Sequence, residues 1–108
     1  MKKTGAIAII PARFSSKRIP YKNIKKFFNY PIIYYTIKAA LNSGCFDNVY
    51  VSTDSEKIAK ISRKYGAKVP FIRSKSLSGD YMGTIPVICD AINKIEEIEN
   101  FNYVCCLY

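Results

Sequence analysis

With 108 residues, 49% of them hydrophobic, the chain has apolar material for one modest core and no second domain. No apolar run approaches the roughly 18–20 residues of a membrane span, and the stretch from Gly5 to Pro11 is too short and strand-like for a signal-peptide core, which predicts a soluble, cytoplasmic protein without a membrane partner. The net charge of +9 is unevenly placed: nine Lys or Arg precede the first acid, Asp47, and from there on eight bases meet eight acids, so the excess forms a local positive field suited to a polyanion, a small phosphorylated ligand or simply a solvated basic surface.

Ala6-Ile7-Ala8-Ile9-Ile10 is a continuous apolar run stopped by Pro11, as expected for a first strand buried on both faces of a parallel sheet. A polar, basic stretch follows to about Asn29, and connections of that length inside a compact domain are usually functional. From Pro31 to about Asn42, Ile33, Ile37, Ala40 and Leu41 recur at helical spacing, with Pro31 in the first turn and Gly44 just past the end. Val49-Tyr50-Val51 reads as the second strand. Thr53-Asp54-Ser55-Glu56 has the form of a capping box opening a helix whose inner stripe is Ile58, Ile61 and Tyr65, ended by Gly66.

Lys68 to Ile72 is a short strand candidate, which Pro70 confines to an edge or to irregular structure. After a polar connection from Arg73 to Gly83, Ile85, Ile88, Ile92 and Ile95 mark a third helix, and Tyr103 to Leu107 a last apolar strand. Cys105 and Cys106 fall in that strand, on opposite faces, and read as core fillers of a reducing compartment. With Cys45 and Cys89 they make four cysteines without a histidine or a Cys-x-x-Cys pair, so the usual zinc spacing is missing. The order βαβα(β)αβ implies right-handed βαβ units and a parallel sheet with helices on both faces, whose ligand sits at the carboxyl edge of the strands. Ending on what reads as a core strand, the chain is expected to be the N-terminal half of a longer protein.

The segment from Pro11 to Asn23 combines what a triphosphate site needs. Arg13 offers a planar fork for phosphate oxygens, Lys17 and Lys22 bring compact charges on flexible stems, and Ser15 and Ser16 can line the anion. Pro11 and Pro20 limit the conformations lost on binding. Neither the Gly-x-x-x-x-Gly-Lys-Ser/Thr loop nor a Gly-x-Gly fingerprint is present. A nucleic-acid loop is the competing reading on charge, with only Phe14 and Tyr21 to stack on bases.

Ile9-Ile10-Pro11-Ala12-Arg13-x-x-Ser16-Lys17-Arg18-Ile19-Pro20-x-Lys22-Asn23 resembles the signature of the CMP-sialic acid synthetase family, the cytidylyltransferases that activate nine-carbon sugar acids. Pro31-Ile32-Ile33-Tyr34, Val49-x-Val51-Ser52-Thr53-Asp54 and Arg73…Leu77-Ser78-x-Asp80 fall where that family has its next three blocks. Within it, Ser-Lys-Arg followed by Ile-Pro, and the run into Cys-Leu-Tyr108, are most similar to the pseudaminic acid branch.

The resemblance implies a Rossmann-like sheet of the nucleotide-diphospho-sugar transferase type and a reaction in which the anomeric hydroxyl of the sugar acid attacks the α-phosphorus of CTP. Pyrophosphate leaves and a CMP-sugar forms, for surface or flagellar glycans. It assigns Arg13 and Lys22 to catalysis by charge neutralisation, and Arg13, Ser16, Lys17, Lys22, Asn23, Arg73, Asp80 and Thr84 to the nucleotide. Arg73 reads equally as an exposed charge at a strand end, and Asp54 more simply as a helix-start residue complementing the dipole. Tyr30, Tyr34, Tyr35 and Tyr50 have core or interface spacing. Mg²⁺ is implied as cofactor, with ligands matching positions past Tyr108, and a homodimer without nucleic acid as the working form. The remaining alternatives are another sugar nucleotidyltransferase and a basic nucleic-acid-binding module.

Overall fold

The computed structural model describes residues 4–12, 26–27, 30–72 and 84–107. Strand β1 (Ala6–Ala12) is followed by a two-residue pair, β2 (Lys26–Phe27) and β3 (Tyr30–Pro31), then by helix α1 (Ile32–Asn42), β4 (Asn48–Thr53), α2 (Glu56–Lys64), α3 (Thr84–Glu96) and β5 (Tyr103–Cys106). β4, β1 and β5 lie side by side in that order, all parallel, while β2 and β3 pair antiparallel. Between Lys68 and Ile72 the chain runs along the outer side of β4 with two isolated parallel bridges, Tyr50 to Lys68 and Thr53 to Ile72. Pro70, which has no N–H to give, lies between them.

β1 is the centre of the sheet and carries its driest residues, Ile7, Ala8 and Ile9 being fully buried. Contrary to the expectation that Pro11 stops it, β1 runs on to Ala12, pairing Pro11 with Ser52 and Ala12 with Thr53. The reason is the alternation of the ladder. The carbonyls of Gly5 and Ile9 accept bonds from Tyr103 and Leu107 on the β5 side, whereas that of Ala6 accepts from Asp47 on the β4 side. Pro11 is in the odd set, so its missing N–H falls on the β5 side. Among the described residues pairing on that side reaches Cys106, one step short of where Pro11 would donate, while the β4 side, which needs no N–H from Pro11, continues to Ala12.

The parallel strands require each helix to return the chain to the amino edge. α1 and α2 pack Ile33, Ile37, Ala40, Ile58 and Ala59 against Ala8, Ile10, Val49 and Val51. α3 packs Ala91 and Ile95 against Ile7, Ile9 and Tyr50 on the other face. Pro31 occupies the cap position before α1, and Gly44, with φ +71°, follows its end. Three positions differ from the periodicity. Leu41 is 38% exposed rather than inward. The buried line of α3 is Val87, Ala91 and Ile95, with Ile88 and Ile92 flanking it, because a stripe at i, i+4, i+8 faces the sheet and places these two isoleucines at its sides.

The third difference concerns the start of α2. The cap is Ser55, not Thr53: the Ser55 hydroxyl accepts from the N–H of Ile58 at 3.3 Å, and the Thr53 hydroxyl accepts from the N–H of Ser55 at 3.2 Å. Thr53 is still extended strand there, paired with Ala12, so its side chain closes a turn rather than a helix.

Among the described residues β5 pairs on one side only, with β1. Tyr103 is 70% exposed and Cys105 is exposed, correcting the expectation of two core cysteines; Cys106 is half-buried, and all four thiols are free. Tyr50 is the bulky buried tyrosine of β4. Its hydroxyl and Oε1 of Glu99 are both buried without a hydrogen-bond partner among the described residues, while Asn48 donates to the other Glu99 oxygen. Burial, and then the Glu99 charge, push the Tyr50 phenol up to about 12. Tyr30, Tyr34 and Tyr35 belong to a half-exposed ring cluster on the α1 face, with Tyr30 stacked on Tyr34 at 4.3 Å and Tyr65 of the α2 cap edge-on to Tyr34 at 4.7 Å.

Candidate functional site

The carboxyl ends of β1 and β4 and the segment ending at Ile72 form one row. Thr53 is paired with Ala12 on one side and bridged to Ile72 on the other. At about 4.8 Å between neighbouring strands, the two outer members of the row stand about 10 Å apart. From Ala12 the chain enters the connection 13–25, which returns at Lys26; from Ile72 it enters 73–83, which returns at Thr84. Both connections singled out in the sequence thus start from the two flanks of β4, on the same edge of the sheet.

The residues expected to hold a nucleotide divide accordingly. Arg13, Ser16, Lys17, Lys22 and Asn23 belong to the first connection, Arg73 and Asp80 to the second, and all seven lie outside the described residues. Thr84 is the first residue of α3. Because α3 runs back to the amino edge, Thr84 opens it at the carboxyl edge, as Glu56 opens α2 after Ser55. Helix amino termini carry partial positive charge and unpaired N–H groups, so two of them facing this edge favour an anion there.

Asp54 sits between Thr53 and the Ser55 cap, immediately before the helix, where a carboxylate complements the dipole. Among the described residues no group of three or more His, Cys, Asp or Glu comes together in a way that could hold a metal ion. Nor is any described helix long and apolar enough to cross a membrane.

Charge in the later part of the chain is neutral in sum and partly segregated in space, with Glu56 opening α2 and Lys94 of α3 paired with Asp90 at 3.1 Å as exceptions. The exposed Lys57, Lys60, Arg63, Lys64 and Lys68 lie on α2 and just after it, while Asp90, Glu96, Glu97 and Glu99 lie on and after α3, across the sheet. The sum of charges hides this grouping, although the bases at 57–68 and the acids at 90–99 already lie apart in the sequence. Thr53 and Ser55 as a linked pair at the carboxyl edge were not evident from the sequence; the available signal was a threonine where Val49 and Val51 had set an apolar alternation.

Residues 7–108 match the family model described as Cytidylyltransferase. The chain belongs to the cytidylyltransferase family. It is 50% identical over 103 residues to a pseudaminic acid cytidylyltransferase of Campylobacter jejuni, covering 94% of this chain and 44% of that protein. It is 42% identical over 95 residues to a CMP-N,N'-diacetyllegionaminic acid synthase of Legionella pneumophila, covering 88% and 41%. An N-acylneuraminate cytidylyltransferase of Escherichia coli is 38% identical over 99 residues, 92% of this chain and 23% of its own. Among solved structures, a CMP:2-keto-3-deoxy-manno-octonic acid synthetase complexed with CTP superposes with a TM-score of 0.73 at 22% identity, over 97% of this chain and 40% of that one. That likeness shows the parallel sheet with its helices. The chain spans under half the length of the curated relatives it matches at 50% and 42% identity.

Proposed function

We propose that this cytidylyltransferase chain grips CTP for the activation of a nine-carbon sugar acid, pseudaminic acid or a sialic acid relative. The anomeric hydroxyl oxygen bonds to the α-phosphorus, the bond to the β-phosphate oxygen breaks, and pyrophosphate departs as the hydroxyl proton is lost. The observation that carries this reading is that the two connections bearing Arg13, Ser16, Lys17, Lys22 and Asn23 and bearing Arg73 and Asp80 leave the sheet on either side of Thr53. Charge builds on the phosphate oxygens as the bond to pyrophosphate breaks, so cationic side chains and helix amino termini at one edge lower the barrier by electrostatic means.

In this reading Arg13, Lys17 and Lys22 neutralise the triphosphate, and Asn23 hydrogen-bonds the nucleotide. Arg73, Asp80 and Thr84 close over it from the second connection. Mg²⁺, when bound, would offset further phosphate charge. The whole protein is read as a cytoplasmic homodimer on the family resemblance. The pseudaminic acid relatives from Campylobacter support that sugar over its isomers.

The test is pyrophosphate release by the full-length protein with each of CTP, UTP, GTP and ATP against pseudaminic, legionaminic and N-acetylneuraminic acid. The proposal expects turnover with CTP and preference for one of these acids. Equal use of the four nucleotides, or turnover only with a sugar 1-phosphate, would overturn it. Salt-sensitive binding to long single strands that CTP does not displace would favour a nucleic-acid module instead.

A further inference from the structure

We propose that Thr53 is a positioning residue for nucleotide binding, acting through its buried hydroxyl on the turn into α2 and thereby on the spacing of the two chain exits beside it. The inference rests on the CTP reading of the connections 13–25 and 73–83. Among the described residues, Thr53 alone pairs both with Ala12 and with Ile72, the last described residue before each connection. Any shift of its backbone therefore moves both exits relative to one another.

Its chemistry is unusual for its place. β4 turns Val49 and Val51 toward the α1 and α2 face, and Thr53 continues that alternation at 0% exposure. Valine would have the same shape, the same preference for a strand and no polar atom to bury. What the hydroxyl supplies is an acceptor for the N–H of Ser55 at 3.2 Å. Ser55 in turn accepts from Ile58 with its own hydroxyl, and its carbonyl accepts from Ala59 at 3.0 Å. A chain of bonds thus runs from the end of the central sheet pairing into the first turn of α2. Without the Thr53 acceptor the Ser55 N–H loses its partner, and the turn must move to recover one.

A nucleotide contacted from both exits is sensitive to that movement, because phosphate contacts depend on separations of a few tenths of an ångström. Binding should suffer more than the chemical step, so the signature is a split between KM and kcat.

The experiment compares full-length wild type with Thr53→Val and Thr53→Ser in steady-state CTP kinetics, with thermal melts alongside. Thr53→Val should raise KM for CTP by roughly fivefold or more with kcat within about twofold, and Thr53→Ser, which keeps the acceptor, should return KM to within about twofold of wild type. Ile95→Val, a core change near the opposite edge of the sheet, controls for lowered stability and should leave KM unchanged. If Thr53→Val does not fold, Thr53→Ala against Thr53→Ser carries the same comparison. Equal KM for the variants with and without the hydroxyl overturns the proposal, as does a KM rise in Ile95→Val of the same size. Failure of the underlying CTP reading is distinct, since wild type would then not turn over CTP and Lys22→Ala would behave like wild type.

Discussion

Replacing Tyr50 with phenylalanine should remove part of the alkaline sensitivity of this fold. Tyr50 is 2% exposed, and its phenol is pushed up to about 12 from 10.0 by burial and by the neighbouring Glu99 charge. A phenol harder to ionise in the folded than in the unfolded chain contributes stability that is fully present below pH 10. That contribution is lost as the pH rises through about 12. At 1.36 kcal/mol per unit, the gap of about two units corresponds to an upper bound of about 2.7 kcal/mol, and the working expectation is about 1–2 kcal/mol. At neutral pH the substitution should be within about 1 kcal/mol of wild type, because the Tyr50 hydroxyl, although near enough to the Glu99 carboxylate to be shifted by it, makes no hydrogen bond of normal geometry among the described residues. Urea unfolding of both full-length proteins, followed by circular dichroism from about pH 8 to about pH 11.5, measures the difference. Wild type should lose stability relative to Tyr50→Phe across the upper part of that range. A gap that stays constant with pH would refute the reasoning, and a loss of over about 2 kcal/mol at pH 8 would mean that the hydroxyl does have a partner.

Gly66→Ala should cost about 1–2 kcal/mol, a Tm decrease of about 2–6 °C, because φ at Gly66 is +103° and side-chain-bearing residues rarely adopt it. The added Cβ would stand 2.9 Å from Cδ1 of Leu41, the free end of a side chain 38% exposed, so that contact is relieved by rotation and the backbone dominates. Combining it with Leu41→Ala should therefore not restore stability; restoration would move the cost to the contact. Lys22→Ala in the full-length enzyme should lower kcat/KM for CTP by roughly tenfold or more, since a charge assigned to the triphosphate is removed, and unchanged kinetics would end that assignment.

Much of the architecture was legible because it depends on local chemistry. The apolar run from Ala6 to Ile10 and the spacing of Ile33, Ile37 and Ala40 report burial through the two periodicities of extended and helical chain. Gly44 and Gly66 mark helix ends because both adopt positive φ. The readings that failed depend on neighbours distant in sequence. Pro11 reads as a stop because a proline cannot donate, yet its nitrogen faces away from β4, so the pairing with β4 loses no hydrogen bond there. Thr53 looked like a helix cap because the Ser/Thr-x-x-Glu spacing is the same whether the first residue begins a helix or ends a strand.

The sequence by itself determined the alternation of strands and helices, the concentration of positive charge before Asp47, and the ordered motif from Pro11 to Asn23 that resembles the cytidylyltransferases. These are properties of residues close together in the chain. The position of β1 between β4 and β5, and the row shared by Ala12, Thr53 and Ile72, came from the tertiary structure alone. Strand order and register arise from pairing between segments tens of residues apart, which no local pattern encodes. In this protein that pairing is what brings the start of one basic connection within about 10 Å of the start of the other.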